Sequence, residues 1–180
     1  MSIIGLGLIG GSLGLALAAA GWEVTGYARR HQTAAQALLR GAIQREAGGL
    51  AKAVSEAEVV VLATPIQGLL GVMQAIAPHL PPGAVVTDVA STKAQVMQWA
   101  AAYLPGVSFV GGHPMAGREK VGLEAAQAEL FRGATYCIVA PAGTPPQAVE
   151  KVKQMALAVG AVPLTMEAAE HDHLVAGISH

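Results

Sequence analysis

The hexapeptide Gly5-Leu6-Gly7-Leu8-Ile9-Gly10 follows a short apolar run at residues 2–4 and leads straight into an apolar stretch of helical length. A strand, a glycine turn and a helix in that order leave few folds open. In such a turn the first glycine permits a tight bend, the second lets the backbone approach a pyrophosphate, and the third lets helix and strand pack closely. Gly5, Gly7 and Gly10 occupy those places, and Leu8 and Ile9 open the helix, whose free N–H groups and positive dipole end attract phosphate. Glycines that serve only close packing could share this spacing. The expectation of a dinucleotide site rests on the strand, helix and second strand around it.

That second strand belongs to a longer alternation. Strands are expected at residues 2–4, 23–27, 58–63, 84–89, 108–110, 136–140 and 162–166, and helices at 9–20, 32–39, 50–54, 67–76, 93–103, 123–130, 146–159 and from 168 onward. Strands separated by helices imply parallel pairing with crossover connections. Val59-Val60-Val61-Leu62, apolar throughout, reads as a central parallel strand covered on both faces. The fold class is therefore α/β, with a doubly wound, mostly parallel sheet of the Rossmann type.

Residues 1–22 contain no charged side chain, so a membrane span or signal peptide must be weighed. Six glycines in that stretch argue against a span, and the missing positive n-region argues against a signal peptide. With 53% hydrophobic residues, the chain of 180 has ample material for one core. Eleven Lys and Arg against twelve Asp and Glu give a net charge of -1, which offers no general attraction to nucleic acid or anionic lipid. The single cysteine, Cys137, excludes an internal disulfide framework and a Cys-rich metal module and fits a cytoplasmic location. No metal site is expected, since His171 and His173 stand two apart and face different sides of a helix.

The end of the second strand of such a fold usually places an acidic residue on the ribose hydroxyls of NAD. Here it reads Tyr27-Ala28-Arg29-Arg30. Ala28 removes the carboxylate that would repel a 2′-phosphate, and Arg29 or Arg30 offers a planar fork that suits one. NADP is favoured over NAD on this reading, although two arginines after a strand also make an ordinary solvated turn.

Ligands gather beyond the carboxyl ends of parallel strands. Three segments there hold polar residues: Thr64-Pro65-Ile66-Gln67, Ala90-Ser91-Thr92-Lys93 and the glycine-rich run Gly111-Gly112-His113-Pro114-Met115-Ala116-Gly117. Thr64, Pro65 and Ser91 are expected beside the cofactor. His113 is placed to act as a general base near neutral pH, though a lone loop histidine often serves structure alone.

Gly-Leu-Gly-Leu-Ile-Gly-Gly-Ser-Leu at 5–13, Thr-Asp-Val-Ala-Ser-Thr-Lys at 87–93, Gly-Gly-His-Pro-Met-Ala-Gly at 111–117 and the terminal His171-Asp172 and Ser179-His180 together resemble the prephenate/arogenate dehydrogenase family of tyrosine biosynthesis. The resemblance implies oxidative decarboxylation of prephenate or arogenate to 4-hydroxyphenylpyruvate or tyrosine, driven by aromatisation of the ring. By that resemblance His113 matches the histidine that takes the hydroxyl proton, and Ser91 the serine lying between substrate, histidine and nicotinamide. Glu119 and His180 match substrate-side residues. Arg118 and Thr92 depart from the family's usual choices.

The resemblance assigns residues 1–166 to the NADP-binding domain and 167–180 to the start of a helix leading into a helical dimerisation domain. Both ends of the chain look cut, and the resemblance implies a homodimer formed through a domain missing from this sequence. Two other functions fit parts of the pattern. A β-hydroxyacid type of dehydrogenase would use a later lysine in place of the Gly-Gly-His-Pro segment, and an NADP(H)-sensing domain would need neither Ser91 nor His113.

Overall fold

The computed structural model describes residues 1–117 and 119–178. Val59–Leu62 (β4) is buried at every residue, as an unbroken apolar run requires, and it sits near the middle of one eight-stranded sheet. The other strands are Ser2–Ile4 (β1), Thr25–Tyr27 (β2), Arg45–Glu46 (β3), Val85–Asp88 (β5), Ser108–Pro114 (β6), Thr135–Val139 (β7) and Val162–Thr165 (β8). Their order is β3-β2-β1-β4-β5-β6-β7-β8, parallel throughout except between β6 and β7.

Among the described residues, six α-helices lie between successive strands, Leu8–Ala19 (α1), His31–Leu39 (α2), Leu50–Val54 (α3), Ile66–Ile76 (α4), Ala94–Tyr103 (α5) and Pro146–Ala158 (α6), and Ala168–Ile178 (α7) follows β8. Successive strand residues point to opposite faces, and two cores result. Ile3, Val61, Val85 and Val110 meet Leu13 and Leu17 of α1 and Val152 and Met155 of α6. Ile4, Val60, Leu62 and Val86 meet Val54 of α3, Leu69 and Met73 of α4 and Val96 of α5. The alternation thus builds a three-layer sandwich. Since β1 lies between β2 and β4, the connections diverge at its carboxyl end, the place where folds of this kind bind their ligands.

Three departures from the sequence reading have physical causes. The expected strand at 108–110 continues to Pro114, so His113 lies within β6 and not in a loop. Residues 108–110 pair in parallel with β5, whereas 111–114 pair antiparallel with β7, a change of neighbour invisible to local composition. Gly112 is needed at that crossing because a Cβ there would lie 2.5 Å from the Asp88 carbonyl oxygen and 2.9 Å from the Tyr136 hydroxyl.

The helix expected over 123–130 is two 3₁₀ turns, Leu123–Ala125 and Ala128–Phe131. The Leu123 and Ala126 carbonyls accept from the Arg40 guanidinium, Leu123 packs against Gly11, and the Gln127 N–H donates to Ser12 Oγ. These long-range bonds hold the backbone where an α-helix would need it free. The third departure is β3, two residues on an edge, too short to leave a periodic signal.

Candidate active site at the carboxyl edge of the sheet

The glycine turn joins β1 to α1 at the divergence point. Gly5 takes φ +99°, and its N–H donates to the Tyr27 carbonyl at 2.8 Å. A Cβ on Gly5 would stand 2.5 Å from Ala63 O, and one on Gly10 would overlap Gly5 O. Both positions are closed by the protein itself. Gly7 is different: a Cβ there would meet no protein atom within 4 Å, and Gly7 begins α1 with no side-chain cap on the helix N–H groups. Leu8 and Ile9, half-buried, form the first turn.

That uncapped N-terminus faces open space at the position where a pyrophosphate is expected. Thr64, next to Gly5 in space, holds a buried hydroxyl with no hydrogen-bond partner. Pro65 precedes α4 and is exposed. These features fit a dinucleotide. Ala28 is half-buried just past β2, while Arg29 and Arg30 are exposed ahead of α2, with Arg30 at its N-cap.

Across the sheet, at β6, His113 Nδ1 lies 2.8 Å from His171 Nε2 of α7. His171 is fully buried, and its Nδ1 lies 2.7 Å from Asp172 Oδ1. The Asp172 carboxylate also accepts the N–H of Lys93 at 2.7 Å and that of Ala94 at 2.9 Å, so it caps α5 from a different helix. Burial, reinforced by His171 and by the positive charge of Lys93, lowers the His113 pKa to about 4, so the imidazole is neutral at physiological pH. Burial opposes ionisation of Asp172, but the Ala94 N–H, His171 and the Lys93 N–H outweigh it and hold the carboxyl below its usual range.

Beneath His113 sits a buried ion pair. Lys93 and Asp88 have side chains with no exposure, and the ammonium donates to the Asp88 carboxylate and, at 2.8 Å, to the Gly112 carbonyl. Asp88 in turn accepts the N–H groups of Gly112 at 3.0 Å and Ala90 at 2.9 Å. Burial pushes the Lys93 ammonium below its ordinary pKa, with Asp88 working against that shift. The pair clamps β6 to β5 on the residue before His113.

Other expected site residues stand apart from this cluster. Ser91 is exposed in the turn between β5 and α5, and no hydrogen bond among the described residues joins it to His113. Glu119 is exposed, and no ion pair among the described residues joins it to a histidine. His180 and Arg118 lie outside the described residues. His173 is exposed while His171 is buried, in line with their separation on a helix. The sequence reading passed over Lys93, Asp88 and the partnership of His171 with His113. An adjacent His-Asp pair opening an apolar helix was the available signal for the last.

Comparison with known proteins adds the following. The family described as "Prephenate dehydrogenase, nucleotide-binding domain" matches residues 13–164. The prephenate dehydrogenase of Bacillus subtilis is 37% identical over 182 residues, covering 99% of this chain and 49% of that protein. The cyclohexadienyl dehydrogenase of Zymomonas mobilis is 32% identical, over 100% of this chain and 62% of its own length. Among solved structures, the arogenate dehydrogenase of Synechocystis superposes with a TM-score of 0.94 at 34% identity, over 99% of this chain and 63% of that one. The prephenate dehydrogenase of Aquifex aeolicus, in complex with hydroxyphenyl propionate and NAD+, gives a TM-score of 0.89 at 28% identity, over 96% and 61%. The chain spans about half the length of the Bacillus relative.

Proposed function

The chain belongs to the prephenate dehydrogenase family as its nucleotide-binding domain, and from that premise we propose that it is the cofactor-holding part of an NADP-preferring dehydrogenase acting on prephenate or arogenate. His113 carries the reading. It is a neutral imidazole, held by a buried partner and set in the same carboxyl edge of the sheet as the glycine turn. A β-hydroxyacid enzyme or a sensing domain would have no use for a half-buried His113 backed by a buried histidine.

Gly5, Gly7 and Gly10, with the N–H groups of Leu8 and Ile9, would hold the pyrophosphate, and Thr64 and Pro65 would line the crevice between β1 and β4. Ala28 leaves room for a 2′-phosphate, and Arg29 and Arg30 supply its countercharge. A bound nicotinamide supplies the hydride acceptor. His113 takes the ring hydroxyl proton at Nε2, and the electron pair left on oxygen forms the carbonyl as hydride departs from the same carbon. When carbon dioxide leaves, the pair of the broken C–C bond enters the ring, which becomes aromatic as the carbonyl oxygen turns into a phenolate and takes a proton back. Ser91, exposed in the turn after β5, orients the hydroxyl, and Glu119 and His180 serve as substrate-side residues. Residues 1–166 form the cofactor domain and 167–180 start the helix towards a dimerising domain.

Titration of this chain with NADP and NAD, beside turnover with prephenate and arogenate in a chain of the relatives' length, tests the proposal. His113→Asn should lower turnover about 10²–10⁴-fold with cofactor affinity retained. Parental turnover in that variant would remove His113 from the chemistry.

A further inference from the structure

His113 presents two ring nitrogens, and among the described residues only Nδ1 is bonded, to His171. Which nitrogen keeps the proton decides whether the other can act as a base. The answer is determined two residues away. Asp172 receives three donors, the N–H groups of Lys93 and Ala94 and the ring of His171, and a carboxylate so held is an acceptor only. His171 Nδ1 must therefore carry a proton, and a singly protonated ring offers its lone pair at Nε2. That lone pair lies 2.8 Å from His113 Nδ1, so His113 donates there and leaves Nε2 unprotonated.

We infer that His171 and Asp172 of α7 are positioning residues that fix His113 as its Nδ1–H tautomer and turn a basic Nε2 towards the substrate. Neither touches substrate; they act through His113. The geometry supports a fixed orientation as well as a fixed proton. The two rings meet edge to face, with centroids 5.1 Å apart and planes at 70°, and His171 is wholly enclosed, so flipping its ring would break both of its hydrogen bonds with no water to replace them. Asp172 is anchored by backbone donors at the start of α5, which gives the chain of bonds a rigid end. The opposite arrangement, a doubly protonated His171, would make His113 accept at Nδ1 and carry its proton on Nε2, where no base would remain.

The inference rests on the reading of His113 as the proton acceptor, and two measurements separate their failures. Nitrogen NMR of the imidazoles in this chain, without substrate, should find His113 protonated at Nδ1 alone. In His171→Leu that preference should be lost, with Nε2–H becoming the main form. In a chain of the relatives' length, His171→Leu should lower kcat about 10²-fold or more, approaching the loss of a general base, with KM for NADP unchanged. His171→Gln, whose amide oxygen can reach the place of Nε2, should recover kcat to within about tenfold of the parent, again scaled to the worth of the base. An Nε2–H tautomer in the parent, or a tautomer and kcat both unmoved by His171→Leu, would overturn the inference. Parental turnover in His113→Asn would instead defeat the reading of the reaction, while the tautomer result would stand.

Discussion

Lys93→Met tests what holds β6 in place. The ammonium and the Asp88 carboxylate are both without exposure, so deleting the cation leaves an anion buried with only the Gly112 and Ala90 N–H groups to stabilise it. Breaking a buried pair in this way costs about 3–5 kcal/mol. Methionine matches the length of the lysine stem, so little of that cost comes from lost packing. With a urea dependence of roughly 2 kcal/mol per molar for a chain of this size, the unfolding midpoint should fall by about 1.5–2.5 M. Adding Asp88→Asn removes the charge but turns one of the two acceptors into a donor facing a backbone N–H. That leaves a cost of about 1–3 kcal/mol for one unsatisfied group. The double variant should therefore be more stable than Lys93→Met alone, a reversal that no loss of volume explains. Urea unfolding of the parent, both single variants and the double variant forms the complete cycle. A Lys93→Met midpoint within about 0.5 M of the parent, or costs that simply add, would refute the reasoning, since that shift is only about 1 kcal/mol on the same scale.

Gly7→Ala should leave stability within about 0.5 kcal/mol while abolishing NADP binding, because its Cβ enters the crevice and meets no protein; Gly10→Ala should cost about 1–3 kcal/mol, read as a lower urea midpoint, because its Cβ overlaps Gly5 O. Ala28→Asp combined with Arg29→Ser should move preference towards NAD about ten- to a hundredfold, measured as the ratio of dissociation constants. The folded His113 pKa of about 4 lies below the 6.5 of an ordinary histidine, so the unfolded chain binds a proton that the folded one refuses between those values. His113's contribution should therefore make stability decline as pH falls from 6.5 towards 4 and level off below, and His113→Asn should remove that part of the slope in pH-dependent unfolding.

The layers of the fold were legible because parallel strands buried on both faces and their crossover helices differ in composition as well as period. Val59-Val60-Val61-Leu62 announced the centre, and the glycine turn announced the edge where ligands gather. The end of β6 was not legible. Gly111 and Gly112 read as loop residues, yet Gly112 is there because Asp88 and Tyr136 crowd the strand crossing, a fact of tertiary contact. The 123–130 segment has helical composition, but Arg40 claims two of its carbonyls from a distance of more than eighty residues along the chain. His113 itself was singled out by its motif. Its partner was not, since spacing along α7 reports which face His171 occupies and says nothing of what waits there.

The cap that Asp172 places on α5 also fixes an order of events. Asp172 lies 79 residues after Lys93, and His171 lies 58 residues after His113. A ribosome adding about 5–20 residues per second needs about 3–12 s to cover the second interval. During that time the nascent chain already holds the whole glycine turn and the strands around it, while the imidazole at the end of β6 has nothing to hold its proton in place. A chain interrupted in that interval would be a nucleotide-binding domain whose proposed base still lacks the partner that directs it.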